Sequence, residues 1–450
     1  MSKHSRPGLR AFSVLLIVVA LVGAACGSDD DDDASGGSDT TTAPGGASVK
    51  ITGVPGVTDD EIRFASFGTN SNNPLGTCVL DCYDDGIKAY FDYRNSQGGL
   101  FGRKLVLSKE LDDELGKNKE KALEIISAND VFGAFSATQI ASGWADLSKA
   151  NIPLWAWSIH PEGQKPNIYG YNGATCYDCT NRTVAYISKL EKATKVASLG
   201  YGVSQNSKLC AQGVEKALNL YSKDLNGAKV VYLNDQLQFG LGNGVAPEVT
   251  AMKKAGVQLV STCIDLNGAK TVAQEMERQG MGDVPIYHPN TYNHEFIKAA
   301  GDLFEGDYVG VGFRPFEAKN NKALAAFKKH MDESGAKLSE MAMIGWLNAD
   351  LAYEGVKAAG DQFDRQKVID ATNKITAYSA SGLINPIDWT RQHEPPTQED
   401  PGTHGYAKDC FVILEIHDQE MEVVGDPAKP WLCWPGGTRA WSEPVETDFE

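Results

Sequence analysis

The sequence predicts an α/β protein in which two similar lobes, each built on a parallel β-sheet, are joined by a chain that crosses between them more than once. Three observations support this prediction. Short apolar runs of the kind that form buried strands alternate with stretches of helical periodicity from about residue 58 onward. The alternation comes in two series, and further helices and strands follow the second series. The 450 residues are sufficient for two domains of ordinary size.

The first 25 residues have the layout of an export signal. Lys3, Arg6 and Arg10 precede an apolar run that is short for a membrane span, and small residues follow that run directly before Cys26. A cysteine in this place resembles the lipobox of bacterial lipoproteins. The resemblance implies cleavage before Cys26 and attachment of lipid to its thiol. A secretory signal with an incidental cysteine is the alternative.

Residues 26–57 are expected to form a lipid-anchored flexible linker, because a run of aspartates followed by Gly, Ser, Thr and Pro cannot bury a core. The removed signal contains three basic and no acidic residues, so the net charge changes from −17 to −20 on cleavage. An acidic chain without a basic stripe is not expected to bind nucleic acid. Its charge mainly favours solubility.

The first series of elements begins after this linker. Strands are predicted at 62–67, 104–108, 131–135 and 152–157, and helices at about 87–97, 119–127 and 138–149. The second series has helices at 180–190, 209–220, 249–255, 272–279 and 295–300, and strands at 195–199, 230–233, 258–264, 284–287 and 308–311. Helical stretches at 322–333, 341–359 and 365–374 and a strand-rich segment at 411–424 complete the pattern.

The stretch from residue 131 to residue 163 holds the first candidate binding site. The buried strand at 131–135 is followed by Ser136-Ala137-Thr138, where a helix is expected to begin, and the next strand ends at Trp157-Ser158. The start of a helix presents free backbone N–H groups and a positive dipole end, which suit an anion or carboxylate. Ligands of open parallel sheets bind beyond the carboxyl ends of strands. An ordinary helix cap is the alternative for the two hydroxyls, and core packing is the alternative for the tryptophan.

Nine cysteines are present, and eight remain when Cys26 is assigned to lipid. An even number in an exported protein favours disulfide bonds. Proximity in sequence suggests the pairs Cys78–Cys82, Cys176–Cys179 and Cys410–Cys433, which leaves Cys210 with Cys263. There are two alternatives. One is a zinc site formed by Cys78, Cys82, Cys176 and Cys179, and the other is a redox pair at Cys176 and Cys179.

Four segments, together with the order of the elements, resemble the type I periplasmic binding proteins, and within them the branched-chain amino-acid binding group of ABC importers. The segments are Asn95-x-x-Gly98-Gly99-Leu100-x-Gly102-x-x-Leu105, Ser136-x-Thr138-Gln139-x-Ala141, Trp346-x-x-x-Asp350-x-x-Tyr353-x-x-x-Lys357-Ala358 and Gly382-x-Ile384-x-Pro386-Ile387-Asp388-Trp389. The resemblance extends from about residue 58 to residue 430, and it resides in the order and spacing of the motifs.

The resemblance implies two Rossmann-like lobes joined by three crossovers, which close on a ligand in the cleft between them. The first lobe would comprise residues 58–175 and 313–402, and the second lobe residues 176–312 and 403–430. Residues 431–450 would then be a C-terminal tail.

The resemblance also implies a set of ligand-binding residues. The turn that holds the ligand carboxylate in the family corresponds to Ser136, Ala137 and Thr138, and the end of the next strand corresponds to Trp157 and Ser158. The second lobe would contribute Asn206, Asp265, Asn290 and Tyr292. Asn290 is neutral where the family places an acid against the ligand ammonium, so a plain α-amino acid is not expected unless Asp265 provides the charge.

The expected function is capture of a small polar solute, such as an amino acid or amide, by a lipid-anchored substrate-binding protein of an ABC importer. Its partners would be the ligand, the permease subunits and the membrane through the lipid, and a monomer on the extracytoplasmic face of the cell membrane is expected. No cofactor, metal or catalytic residue is expected, because phosphate-binding, nucleophile-elbow and zinc motifs are absent. A ligand sensor of the same fold and an α/β hydrolase or transferase are the alternatives.

Overall fold

The computed structural model describes residues 50–73, 76–171, 182–393, 408–436, 438 and 440–449. The predicted signal, the lipidation residue Cys26 and the pair Cys176 and Cys179 lie outside these residues. None of the described helices is long and apolar enough to cross a membrane.

A first sheet of five strands has the order β2-β1-β3-β4-β5, and every pairing within it is parallel. Its strands are β1 (Glu61–Gly68), β2 (Lys104–Asp112), β3 (Gly133–Ala137), β4 (Leu154–Ala156) and β5 (Ile168–Tyr169). The helices between them are α1 (Leu80–Ser96), α2 (Asn118–Ala128) and α3 (Trp144–Lys149). Strand β3 is fully buried, as expected for an apolar strand covered by helices on both faces.

A second sheet of nine strands is mixed rather than purely parallel. Its parallel part consists of β6 (Lys195–Tyr201), β7 (Lys229–Leu237), β8 (Leu259–Cys263), β9 (Ile286–His288) and β10 (Tyr308–Val311). The antiparallel part consists of β11 (Lys408–His417), β12 (Glu420–Val423), β13 (Trp431–Pro435) and β14 (Val445–Thr447). The helices are α4 (Thr183–Leu190), α5 (Gln205–Tyr221), α6 (Ala246–Ala255), α7 (Leu266–Arg278) and α8 (His294–Ala300).

Three helices that follow β10 return to the first sheet: α9 (Lys322–Ser334), α10 (Glu340–Ala359) and α11 (Arg365–Thr372). Helix α10 packs against α1, α11 and β4. Glycines allow α1 and α10 to approach closely, since a Cβ atom on Gly86 would lie 1.9 Å from the Ala342 carbonyl oxygen and one on Gly345 would lie 2.0 Å from that of Tyr83. The first residues of α10 are thereby held beside the first residues of α1.

The predicted alternation of strands and helices, and with it the α/β fold class, is confirmed. Two details differ from the expectation. The predicted helix at 138–149 begins only at Trp144, because the Thr138 hydroxyl is hydrogen-bonded to Asp113 and the Gly143 amide donates to the side-chain oxygen of Asn118 (2.9 Å). The second sheet is mixed, because β11 returns antiparallel beside β10 and the segment expected to be a tail contributes β13 and β14.

Three of the suggested disulfide bonds are present: Cys78–Cys82, Cys210–Cys263 and Cys410–Cys433. The zinc alternative is wrong for Cys78 and Cys82, since both sulfur atoms are consumed by their own bond. In the described part of the chain, no group of three or more His, Cys, Asp and Glu residues is arranged to hold a metal ion.

Candidate functional site

A cavity of about 270 Å³ lies where strand ends and helix starts from the two sheets meet. The first sheet contributes Gln139 after β3 and Trp157 after β4, together with the starts of α1 and α10. The second sheet contributes Tyr201 at the end of β6, Asp265 after β8 and residues that follow β9. The carboxyl ends of parallel strands of both sheets thus open onto one space, which is where ligands of such sheets bind.

The structure brings five of the predicted binding residues together at this cavity: Trp157, Asn206, Asp265, Asn290 and Tyr292. Trp157 is half-buried, and its backbone amide donates to the Ser136 carbonyl oxygen (2.8 Å), which fixes the tryptophan at the strand end. Trp155, two residues earlier, is fully buried against Phe64 and Phe135. The two tryptophans therefore differ in role, one in the core and one on the cavity wall.

Asp265 is held by its own helix. One carboxylate oxygen caps α7 by accepting from the amides of Asn267 (3.0 Å) and Gly268 (3.1 Å), and the other accepts a hydrogen bond from the Tyr201 hydroxyl. Burial and the adjacent carboxylate raise the pKa of Tyr201 well above its ordinary value, so this hydroxyl remains a donor. The Asp265 charge is already partly neutralised by these donors.

Tyr292 and Asn290 are likewise engaged with the protein. The Tyr292 hydroxyl donates to Glu317 (2.8 Å) and accepts from the Phe316 amide (2.6 Å), so both its donor and an acceptor position are used within the protein. The Asn290 side chain donates to the Ile264 carbonyl oxygen (3.3 Å).

Four predicted binding residues do not line the cavity: Ser136, Ala137, Thr138 and Ser158. Ser136 and Thr138 are completely buried. The Ser136 hydroxyl oxygen accepts from the Trp144 indole nitrogen (2.9 Å), and the Thr138 hydroxyl donates to Asp113 (2.5 Å). Their role as a carboxylate site stays a prediction, but both hydroxyls already have partners within the first sheet.

Several cavity residues were not among the predicted ones. Tyr201 and Phe239, which line the cavity with Asn206, form an aromatic edge-to-face pair with ring centres 5.0 Å apart. Gln139 lines the cavity, and its side-chain nitrogen is buried without a hydrogen-bond partner among the described residues. Trp157 was selected because it lies at the end of a predicted strand. Tyr201 would have been selected in the same way if the strand predicted at 195–199 had been extended by two residues.

Glu340, the first residue of α10, is the other residue that was missed. The preceding Ser339 caps the helix by accepting from the Ala342 amide (3.1 Å). Glu340 itself makes no hydrogen bond or ion pair with any residue in the described ranges, and burial raises the pKa of its carboxyl to about 8. In the sequence it is an ordinary acid in a first helical turn, and no local pattern indicates that it reaches a cavity formed largely by other elements.

A family model described as periplasmic binding protein matches residues 78–399. The chain belongs to the periplasmic binding protein family. The match covers elements of both sheets and the helix that contains Glu340, and the α/β architecture is that of the type I fold. The family consists of solute-binding proteins, which are located outside the cytoplasm.

Solved structures support this fold. A branched-chain amino-acid ABC transporter protein from Thermus thermophilus with bound valine is 17% identical, with a TM-score of 0.63 over 82% of this chain and 96% of that chain. A substrate-binding periplasmic protein from Ralstonia solanacearum is also 17% identical, with a TM-score of 0.63 over 83% and 100%. A fatty acid ABC transporter substrate-binding protein from Thermomonospora curvata is 16% identical, with a TM-score of 0.60 over 88% and 98%. No curated protein sequence matched.

Proposed function

We propose that this protein is the substrate-binding component of an ABC importer and that it captures a small polar solute in the cavity between its two sheets without transforming it. The main support for this proposal is the cavity, because its walls come from both sheets and from the starts of helices α1, α5, α7 and α10. A ligand placed there would touch both halves of the molecule at once, as a closing binding protein requires.

Capture would proceed by rotation of the two lobes about the chain segments that join them. Closure removes water from the cavity, so each polar group on its wall then needs a partner on the ligand. The side-chain nitrogen of Gln139, which has no partner in the part of the chain that the structure describes, and the side chain of Asn206 are suited to such contacts. Trp157, Tyr201 and Phe239 would provide aromatic surface for the ligand body. The permease would recognise the closed form.

The ligand class proposed for this cavity does not follow from the relatives alone. The relatives described above bind valine in one case and are assigned to fatty acids in another. The present cavity is unsuited to a fatty-acid anion, since its wall contains the acidic residues Asp265 and Glu340. Amides, amines and amino acids are the candidates.

Ligand capture is tested by a thermal-shift screen of small metabolites followed by titration calorimetry. A ligand present at about 100 times its dissociation constant stabilises the native state by about 2.7 kcal/mol, which raises the melting temperature measurably. Trp157→Ala should weaken binding of the hit at least tenfold, whereas Leu220→Ala, on an exposed part of α5, should leave it unchanged. Failure of every compound to stabilise the protein would contradict the proposal.

We also propose that the mature protein is held on the extracytoplasmic face of the membrane by lipid on Cys26. Acyl chains would provide the attachment, so Cys26→Ala should release the protein into the medium. Fractionation after a high-salt wash measures this, with Cys26 intact as the control. A mutant protein that stays in the membrane fraction would exclude the lipid anchor.

A further inference from the structure

The wall of the cavity is acidic. Among the described residues that line it, the charged ones are Asp265 and Glu340, and none is a lysine, arginine or histidine. A ligand carboxylate in this space would face two acids and no cation, in surroundings that screen charge less than water does. A cationic group would instead be attracted by both acids.

The two acids are not equivalent. Both oxygens of Asp265 already accept hydrogen bonds, two from backbone amides of α7 and one from the Tyr201 hydroxyl. The Glu340 carboxylate has no such partner within the described residues, although Glu340 is partly buried at the junction of the two sheets. An ionised carboxylate in such a place is unstable unless a counterion joins it.

Most of the alternative anchors for a ligand carboxylate are already engaged, and the exception is the start of α1, which lies at the cavity without a side-chain cap. The hydroxyls of Ser136 and Thr138 are buried and bonded to Trp144 and Asp113. Four helices that begin at the cavity are capped by their own side chains, which accept from the amides of the first helical turn; the caps are Ser204, Asp265, Asn293 and Ser339.

We propose that the cavity recognises a ligand with a cationic nitrogen, and that Glu340 on α10 is its counterion, in place of the acid that is absent at Asn290. The inference rests on the proposed function and adds the charge class of the ligand. The rings of Trp157, Tyr201 and Tyr292 line the same cavity and supply π faces that also attract a cation. A carboxylate on the ligand is not required, so simple amines fit as well as amino acids.

The test compares compounds that share one carbon skeleton and differ in charge. One series is 3-methylbutylamine, leucine and 4-methylpentanoate, a second is phenethylamine, phenylalanine and 3-phenylpropanoate, and choline represents quaternary ammonium compounds. Thermal shift and calorimetry at pH 7 on the full mature protein are expected to show binding of members with a cationic nitrogen and none of the members that carry only a carboxylate.

Glu340→Gln should then weaken the best cationic ligand at least tenfold, because the amide keeps the size but removes the charge. Glu124→Gln, a half-exposed glutamate on α2, is the matched control and should leave affinity unchanged. Glu340→Asp keeps the charge and should retain the preference for cations with weaker binding. Melting curves of each variant without ligand establish that it is folded.

The outcomes separate the two proposals. Binding of cationic compounds that depends on the charge of residue 340 supports the inference. Binding of carboxylate-only compounds to the unmodified protein, or of any ligand with equal affinity in Glu340→Gln, would overturn the inference and leave the proposed function standing. Lack of stabilisation by metabolites of every charge class would overturn the proposed function, and the inference with it.

Discussion

At the scale of single residues, the hydrogen-bond partners of a side chain decide whether it can serve a ligand. Ser136 and Asp265 are both polar residues at strand ends, but the first is fully buried and bonded to Trp144, and the second caps a helix. Glu340 has no partner in the described part of the chain, and its protonation should therefore respond to pH and to a bound ligand.

The pKa of Glu340 predicts a pH dependence of stability. Burial raises this pKa from 4.5 to about 8, so the folded state binds more protons than the unfolded state between these values. The contribution of Glu340 to the free energy of unfolding should consequently fall as the pH rises through this window. Tyr292 lies close to Glu340; burial, the Glu317 carboxylate and, to a smaller extent, Glu340 raise the pKa of its hydroxyl, which therefore stays neutral through this window.

Urea denaturation from pH 5 to pH 9 checks this prediction. Glu340→Gln should be destabilised less by rising pH than the unmodified protein, and Glu124→Gln should follow the unmodified protein. Parallel pH profiles for Glu340→Gln and the unmodified protein would show that residue 340 titrates normally.

Ser136→Ala should reduce stability without changing ligand affinity. The substitution leaves the Trp144 indole N–H buried without its acceptor, which costs about 1–3 kcal/mol. Denaturation and calorimetry on the same variant separate the two effects. A loss of affinity larger than tenfold in a variant of normal stability would instead show that Ser136 contributes to ligand binding.

At the scale of elements, the contact of α1 with α10 sets the position of the cavity wall, because each helix begins at the cavity and their backbones nearly touch farther along. Gly345→Ala should separate the helices, since its Cβ would lie 2.0 Å from the Tyr83 carbonyl oxygen. We expect the free energy of unfolding to fall by about 1–3 kcal/mol, which is the usual cost of an overpacked core.

Gly213→Ala, within α5, is the matched control for this substitution. A Cβ atom there meets no atom of the described residues within 4 Å, so helix propensity alone should stabilise the protein by about 0.5–1 kcal/mol. Urea denaturation of both variants gives the comparison. An equal effect of the two substitutions would show that close packing of α1 on α10 is not required.

At the scale of the whole molecule, the disulfide bonds should contribute according to the length of chain that each one closes. Cys210–Cys263 spans 53 residues and joins α5 to the end of β8 at the cavity, whereas Cys78–Cys82 spans 4. Replacing the first pair by serine should cost about 3–4 kcal/mol and replacing the second pair clearly less. Calorimetric melting of the two double variants measures the difference, and the reverse order would argue against the chain-entropy account.

The sequence alone was sufficient for the α/β class, the alternation of elements and the three disulfide pairings in the described residues, because these depend on local periodicity, spacing and composition. The strand end at Trp157 could also be assigned to a ligand site, since parallel strands direct their carboxyl ends to one edge, whereas Asp265 was assigned through the resemblance to the family. The tertiary structure decided the rest. Whether the hydroxyl of Ser136 is free depends on Trp144, and whether Glu340 reaches the cavity depends on the packing of α10 against α1. Both are contacts between elements that no local pattern encodes.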